Sequence, residues 1–557
     1  MKDSLKQEMI ESTKFEDEKE LYSTLEALEK EFAYLDKERI VRWMQGEEFI
    51  CVPAVYWVIR SFEKVIYMIN LVADLLKEDP KSKNRKMFII MAHRLAILFD
   101  IIYGAACDDP DWVFYNPEES EDLLLLLECL DFSMPEDIIG HRENTIKGIE
   151  DFHCSIAIAQ RGFRKKNIFS QLASSAMWAV YYKIKKHKIW DHGSFMMAVL
   201  DKDAVIRVLK LVQSDYIEKK IGFDKSLPKI ALHQLILIPF NKPDLITLDN
   251  LDNEEKPEIM TSKELDLPFV KTYEGYDKTT HVQVRVLSDH DWNRVDWEES
   301  KLQQDDQECV LADTAIIHVH GGGFIAGSSA SSQLNTRPWA SETKAPVFSV
   351  DYRLSPDYVF PDAVNDWWQF YWWLVNYSEK YLKIKFQRIV LIGDSAGGNL
   401  IIAITTLAIQ KGVRIPDGLN LIYPAIALSK TAFSPSALLC LDDVFLSSTF
   451  LSICSGFYTT DEVSMKKPKI LSPSVIPDDI LAMFPPCRFT IAGHDPLRDD
   501  WIKFMLRLKK QKVNVKGIEF KALMHAFLSH KDKPFQLIEA QKAWDQILDY
   551  LIELVKV

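Results

Sequence analysis

From about residue 280 to the end, short β-branched runs alternate with longer helical ones, and this alternation constrains the fold more than any other feature of the chain. Val282, Val284 and Val286 follow a period of two, after an earlier strand-like run at Phe269–Tyr273. Further strands are expected at Thr314–Val319, Val347–Asp351, Arg388–Ile392, Leu419–Tyr423, Arg488–Ala492 and Val515–Phe520. Helices are expected at Asp362–Tyr377, Ala396–Lys411, Asp499–Lys510 and Pro534–Val555. Strands separated by helices cannot pair as hairpins and must run parallel through crossovers. The pattern therefore specifies an α/β fold, with a mostly parallel sheet covered on both faces.

The first part of the chain reads differently. Leu21, Leu25 and Leu28 lie on one helix face. Helical runs continue at Ala54–Leu76, Arg85–Ile102, Glu121–Leu130, Ile168–Lys185 and Asp203–Ile217, with Pro110, Pro117 and Pro135 between runs. Asn241–Asp266, with Pro243, Pro257 and many carboxylates, is expected to be an exposed connection. Two domains follow: 1–260, mainly helical, and 261–557, α/β.

Lys plus Arg total 67 against 81 Asp plus Glu, a net charge of −14, so the chain lacks the basic footprint that nucleic acid requires. The N-terminal stretch is charged rather than apolar, and Phe88–Cys107, the most apolar segment, is broken by His93, Arg94 and Asp100. The 8 cysteines are scattered, with no Cys-x-x-Cys pair and no metal-ligand spacing. A cytoplasmic protein with free thiols and no metal is expected.

Gly393-Asp394-Ser395-Ala396-Gly397-Gly398 lies between a strand-like and a helix-like run. That context makes Gly-x-Ser-x-Gly a nucleophile elbow, a turn so tight that side chains at its flanks would clash. Upstream, His320-Gly321-Gly322-Gly323 follows another strand. Bare backbone amides can close on a developing oxyanion only where no side chain intervenes, so Gly322, Gly323 and Ala396 are the expected donors.

A serine hydroxyl needs a base, and the base needs an orienting group. After such an elbow the acid and then the histidine follow in the chain. Of the 13 histidines, His494, His525 and His530 lie beyond Ser395. His525 follows a strand by a short loop, Lys521–Met524, and precedes the last helix, whereas His530 reads as solvated. Asp495, just after the strand Arg488–Ala492, is the expected acid; Asp499 and Asp500 read as first-turn helix residues. A competing reading takes Gly321-x-Gly323-x-x-Ala326 as a loose dinucleotide fingerprint with Asp351 at the ribose. It leaves the Ser395 motif idle.

These residues resemble the hormone-sensitive lipase family of α/β hydrolases. The likeness rests on His320–Gly323, on Asp351-Tyr352-Arg353-Leu354-Ser355-Pro356 with Phe360-Pro361, on Gly393–Gly398, on Asp495-Pro496-Leu497 and on His525. Gln160-Arg161-Gly162-Phe163 also looks like part of the helical domain of the animal members. The resemblance implies an α/β-hydrolase fold and hydrolysis of acylglycerols, steryl esters or related lipid esters by Ser395, His525 and Asp495, without a cofactor. It further implies a helical domain serving lipid access or self-association, a lipid-droplet or membrane surface as partner, and a homodimer. No arginine occurs between Arg414 and Arg488, so the basophilic kinase sites of the mammalian regulatory insertion have no counterpart there. The alternatives are a non-catalytic lipid or small-ligand receptor on the same scaffold, and a dinucleotide-dependent oxidoreductase.

Three further features bear on lipid contact. Trp367, Trp368, Trp372 and Trp373 crowd one helix and are expected to pack it inward, with a lipid-facing patch as the other reading. Lys183, Lys185, Lys186, His187 and Lys188 form a basic run that reads as a solvated helix face, with approach to anionic lipid as the other reading. Pro435–Tyr458 is expected to contribute to the acyl pocket or cap.

Overall fold

Among the described residues nine strands form one sheet, which runs from edge to edge through Leu130–Ser133, Val515–Met524, Cys487–His494, Gly418–Ile422, Ile384–Asp394, Val310–Val319, Val347–Asp351, His281–Ser288 and Leu232–Pro239. The structure, a computed structural model, describes residues 129–133, 177, 227–255, 277–290 and 310–556, with short gaps at 241–243, 253 and 383, at intervals through 429–447 and 461–467, and at 532–535. The helical runs from Leu21 to Ile102 and at Ile168–Lys185 and Asp203–Ile217, the basic run near Lys185, Gln160–Phe163 and the run Phe269–Tyr273 lie outside the described residues, Met177 excepted.

In chain order the elements are β1 (Leu130–Ser133), β2 (Leu232–Pro239), β3 (His281–Ser288), β4 (Val310–Val319), α1 (Gln333–Thr343), β5 (Val347–Asp351), α2 (Asp362–Tyr381), β6 (Ile384–Asp394), α3 (Ala396–Gln410), β7 (Gly418–Ile422), α4 (Ser448–Tyr458), β8 (Cys487–His494), α5 (Arg498–Lys510), β9 (Val515–Met524) and α6 (Ile538–Lys556). From β1 across to β5 every pair is parallel, and β3 and β2 complete the sheet antiparallel. The parallel strands read as continuous apolar runs because both faces are covered: Ile389, Val390, Leu391 and Ile392 are all buried. Helix α3 is buried along almost its whole length, which its uniformly apolar sequence requires.

Trp367, Trp368, Trp372 and Trp373 are 0–2% exposed, so they form no surface patch. They fill the space where α2 packs on β6, α3 and the β2–β3 edge.

Strands β1 and β2 lie before residue 261, the expected start of the α/β domain; β1 pairs with β9 over four positions and β2 with β3 over eight. The connection expected to be exposed is anchored where it is described. Phe240, Asp244, Ile246 and Leu251 are buried. The Trp368 indole N–H donates to the Asp244 carboxylate, Ile246 N–H donates to Asn365 Oδ1 at 2.9 Å, and Gln369 Nε2 donates to Asp244 O at 3.1 Å. A polar sequence reads as solvated unless its partners are known, and here they come from a helix more than 100 residues on. Lys411, itself buried, stands 3.5 Å from Asp244.

Among the described residues no helix is long and apolar enough to cross a membrane, no metal-binding cluster occurs, and Cys129, Cys454 and Cys487 are buried and form no disulfide.

Trp368→Phe keeps the ring in place but removes the donor to Asp244, leaving a buried carboxylate short of a partner. The expected loss is about 1–3 kcal/mol in urea unfolding. Leu248→Ser, at a half-exposed site on the same segment, is expected to stay within about 0.5 kcal/mol.

Candidate active site

Strand register sets the site. Asp394, the last residue of β6, lies opposite Ile422 of β7, so Ser395 is the first residue past that pair. In the β8–β9 pair His494 lies opposite Met524, so Asp495 and His525 each stand one residue beyond a matched position. Strand β9 thus runs through Lys521–Met524, where the sequence suggested a loop. Gly493 makes this possible, since a side chain there would meet the Lys521 backbone at 2.4 Å.

Ser395 holds φ +52° and ψ −118°, a conformation costing on the order of 1–3 kcal/mol outside glycine. Surrounding bonds hold it there: Ser395 N–H donates to Ile422 O at 3.0 Å, and Ser395 O accepts N–H from Ala425 at 2.9 Å and Asn399 at 3.2 Å. The turn tolerates no side chains at its flanks. A Cβ on Gly393 would lie 2.7 Å from the Gly397 carbonyl carbon, and one on Gly397 would lie 2.2 Å from Val319 O. The second contact also shows that the elbow is seated on the end of β4, where the glycine loop begins.

His525 Nε2 stands 2.9 Å from Ser395 Oγ, and Nδ1 stands 2.5 Å from Asp495 Oδ2. A carboxylate can only accept, so Nδ1 carries the proton and donates, which leaves Nε2 to accept from the serine hydroxyl. Asp495 is fully buried, and its Oδ1 accepts the Leu497 N–H at 2.8 Å. Burial alone would pull the His525 pKa down, but the charges of Asp495, Asp443 and Asp394, with the Asp495 hydrogen bond, outweigh it and hold the pKa above the ordinary value. The Tyr423 ring lies 4.9 Å from the imidazole and meets Phe527 edge-on, which fixes the ring plane.

The loop after β4 turns at Gly322 (φ +116°) and Gly323 (φ +60°), with the Ile325 and Ala326 amides returning to Gly322 O. Asp394 locks this loop to the elbow, its Oδ1 accepting the Gly321 N–H at 2.9 Å. Burial pushes that carboxyl up to about 6, against the opposing pull of Gly321 and His525. Tyr352 OH donates to His320 O at 2.9 Å, and the two rings stack at 4.2 Å. The N–H groups of Gly322, Gly323 and Ala396 have no acceptor among the described residues.

The rival residues have other employment. His530 is buried rather than solvated; Asp499 and Asp500 stand in the first turn of α5, as expected, and Asp499 is buried there. Asp499 accepts the Ser436 N–H at 2.7 Å and pairs with Arg498, which also grips Glu519. Asp500 is pushed up to about 7 by burial. Asp351, which a dinucleotide site would need at the ribose, is occupied by Ser329 (N–H at 2.5 Å, hydroxyl at 2.6 Å) and Gln283 (2.8 Å). Within Pro435–Tyr458, helix α4 brings Ile453 and Cys454 against Ile325 of the glycine loop, with Phe450 and Phe457 beside them. Tyr458 stacks on Phe324 at 3.8 Å.

Sequence reasoning missed Asp394, Tyr352, Tyr423 and Cys454. Asp394 occupies the variable position of its motif, and the others act through contacts that no spacing rule encodes.

The profile of a family described as "alpha/beta hydrolase fold" matches residues 316–529. "Hormone-sensitive lipase" of Bos taurus is 41% identical over 156 residues, 28% of this chain and 20% of the lipase. "Ethyl acetate hydrolase" of Pseudomonas putida is 30% identical over 226 residues, 40% of this chain and 69% of that protein. "Esterase LipI" of Mycobacterium tuberculosis is 29% identical over 215 residues, 39% of this chain and 66% of that protein. The chain thus spans about a fifth of the length of the bovine lipase, and 14% of the human one.

A fluorophosphonate is expected to label Ser395. The base works only when neutral, and its raised pKa means labelling falls with acidification through a pH above the ~6.5 of an ordinary histidine. In Asp495→Asn, burial remains while the opposing charge is gone, so the midpoint moves to lower pH and the rate falls about 10⁴-fold. Labelling rate against pH, in both proteins, checks it.

Proposed function

The chain belongs to the hormone-sensitive lipase family of α/β hydrolases, and from that premise we propose that it hydrolyses carboxylic esters of lipid alcohols through a Ser395 acyl-enzyme. One observation carries the reading: Ser395 Oγ, His525 and the buried Asp495 stand in hydrogen-bonded series, beside amides that have no acceptor among the described residues.

The chemistry follows from that geometry. As Ser395 Oγ attacks the acyl carbonyl, its proton passes to His525 Nε2, and the imidazolium that forms is steadied by the Asp495 carboxylate at Nδ1. The carbonyl oxygen gains negative charge and is met by the Gly322, Gly323 and Ala396 N–H groups, the last at the positive end of α3. When the tetrahedral species collapses, the ester C–O bond breaks, and His525 returns its proton to the departing alcohol. Water enters next; His525 takes its proton as the oxygen attacks the acyl carbon, then hands it to Ser395 Oγ as the acid leaves. No cofactor takes part. Protonation of His525 stops the first step, consistent with its hydrogen bonds being made in the neutral form.

Acylglycerols and steryl esters are the proposed substrates, in lipid breakdown at a lipid-droplet or membrane surface reached from the cytoplasm. The family resemblance and the apolar wall of α4 beside the glycine loop support that choice. The N-terminal region, taken as residues 1–260 in the sequence, is proposed to govern lipid access or self-association.

Purified protein assayed on a series from p-nitrophenyl acetate to emulsified diacylglycerol and cholesteryl ester tests this. Turnover is expected across the series, with Ser395→Ala reducing it by at least about 10⁴-fold. A variant that keeps its rate would remove the mechanism; turnover of soluble esters alone would remove the lipid substrates.

A further inference from the structure

On the side of the glycine loop facing α4, Cys454 is the side chain nearest Gly323. A Cβ built on Gly323 would lie 2.7 Å from Cys454 Sγ and 3.3 Å from Cys454 Cβ. Cys454 is 5% exposed and sits in a cluster with Ile453 and Ile325, flanked by Ala326, Phe450 and Phe457. On α4, Phe450, Ile453, Cys454 and Phe457 fall at i, i+3, i+4 and i+7, one face of the helix. That face bears on the residues immediately after Gly323.

The opposite side of the loop is fixed by other means. Asp394 holds the Gly321 N–H, Tyr352 holds His320 O, and Gly327 leaves room for the His320 ring, whose Nδ1 would stand 2.4 Å from a Cβ there. Gly322 and Gly323, with φ of +116° and +60°, lie between this anchored start and the α4 face. Among the described residues their N–H groups meet no acceptor, while Gly322 O accepts the Ile325 and Ala326 amides within the same turn. The turn is thus closed on itself, and where it sits depends on what it rests on.

We propose that Cys454 is a positioning residue, the stop on which the Gly322–Gly323 turn is seated, so that side-chain size at 454 sets where the two amides meet the oxyanion. Burial pushes the thiol up to about 12, so it is neutral and acts through volume rather than charge. A larger side chain drives the turn toward the serine; a smaller one lets it recede. Either displaces donors whose alignment matters most in the transition state, where losing one costs about 10²–10³ in rate. This inference rests on the ester-hydrolase reading, so wild-type turnover of a soluble ester and phosphonate labelling of Ser395 are measured first; absence of both defeats that reading, not the present one.

With turnover present, Cys454→Ser, Cys454→Ala and Cys454→Leu are compared by kcat, KM, labelling rate and thermal midpoint. Cys454→Ser, nearly the same size, is expected to stay within threefold of wild type. Cys454→Ala should lose about three- to tenfold and Cys454→Leu about 10²-fold in kcat, with KM within threefold and labelling falling in step with kcat. If the leucine variant does not fold, Gly323→Ala supplies the test alone. Its methyl points at Sγ, so kcat should collapse, and Gly323→Ala/Cys454→Ala should recover at least tenfold over Gly323→Ala. Unchanged kcat in the leucine variant, losses that follow the thermal midpoint instead of side-chain size, or no recovery in the double variant would overturn the proposal.

Discussion

A carboxylate sealed from water, bonded to a backbone amide and an imidazole, sets the terms for this molecule. Asp495 has an exposure of 0% and receives the Leu497 amide and the His525 ring. A buried charge is tolerable only while its oxygens are bonded, so the imidazole is held to one tautomer and one plane. The other imidazole nitrogen then has a single direction in which to point, and the strained elbow places Ser395 Oγ there. Sheet register, helix α3 and the packing of Tyr423 all act to keep that line straight.

The second constraint is steric. The elbow and the glycine loop approach until backbone touches backbone, as the room denied to any side chain at Gly397 and Gly321 makes plain. At this closeness the Asp394 bond to Gly321 becomes the link between nucleophile and oxyanion donors. The family pattern Gly-x-Ser-x-Gly conceals this role in its unspecified letter.

Legibility in the sequence followed the range of the interactions involved. The strand at Val347–Asp351 was readable to the residue, because an apolar run bounded by turns is a local signal. Ser395 was readable because the glycines beside it mark a turn too tight for side chains, a pattern confined to a few residues. Strand β1 was not, since four residues carry no period and owe their extension to pairing with β9. Asp244 was misleading, because its partner Trp368 lies far along the chain and a carboxylate in a proline-bearing stretch looks solvated. Cys454 gave no sign, since contact with a glycine α-carbon leaves no trace in composition.

The placement of Leu130–Ser133 along β9 has a consequence for how copies of this protein can meet. A sheet margin with free backbone groups is open to strand exchange between molecules. Here the margin on the histidine's side is occupied by the chain's own earlier segment, in parallel register from Gly517 to Phe520. Among the described residues β1 becomes the margin in its place, a ladder only four residues long. Any strand pairing there engages β1, and it leaves the strand that carries the base undisturbed.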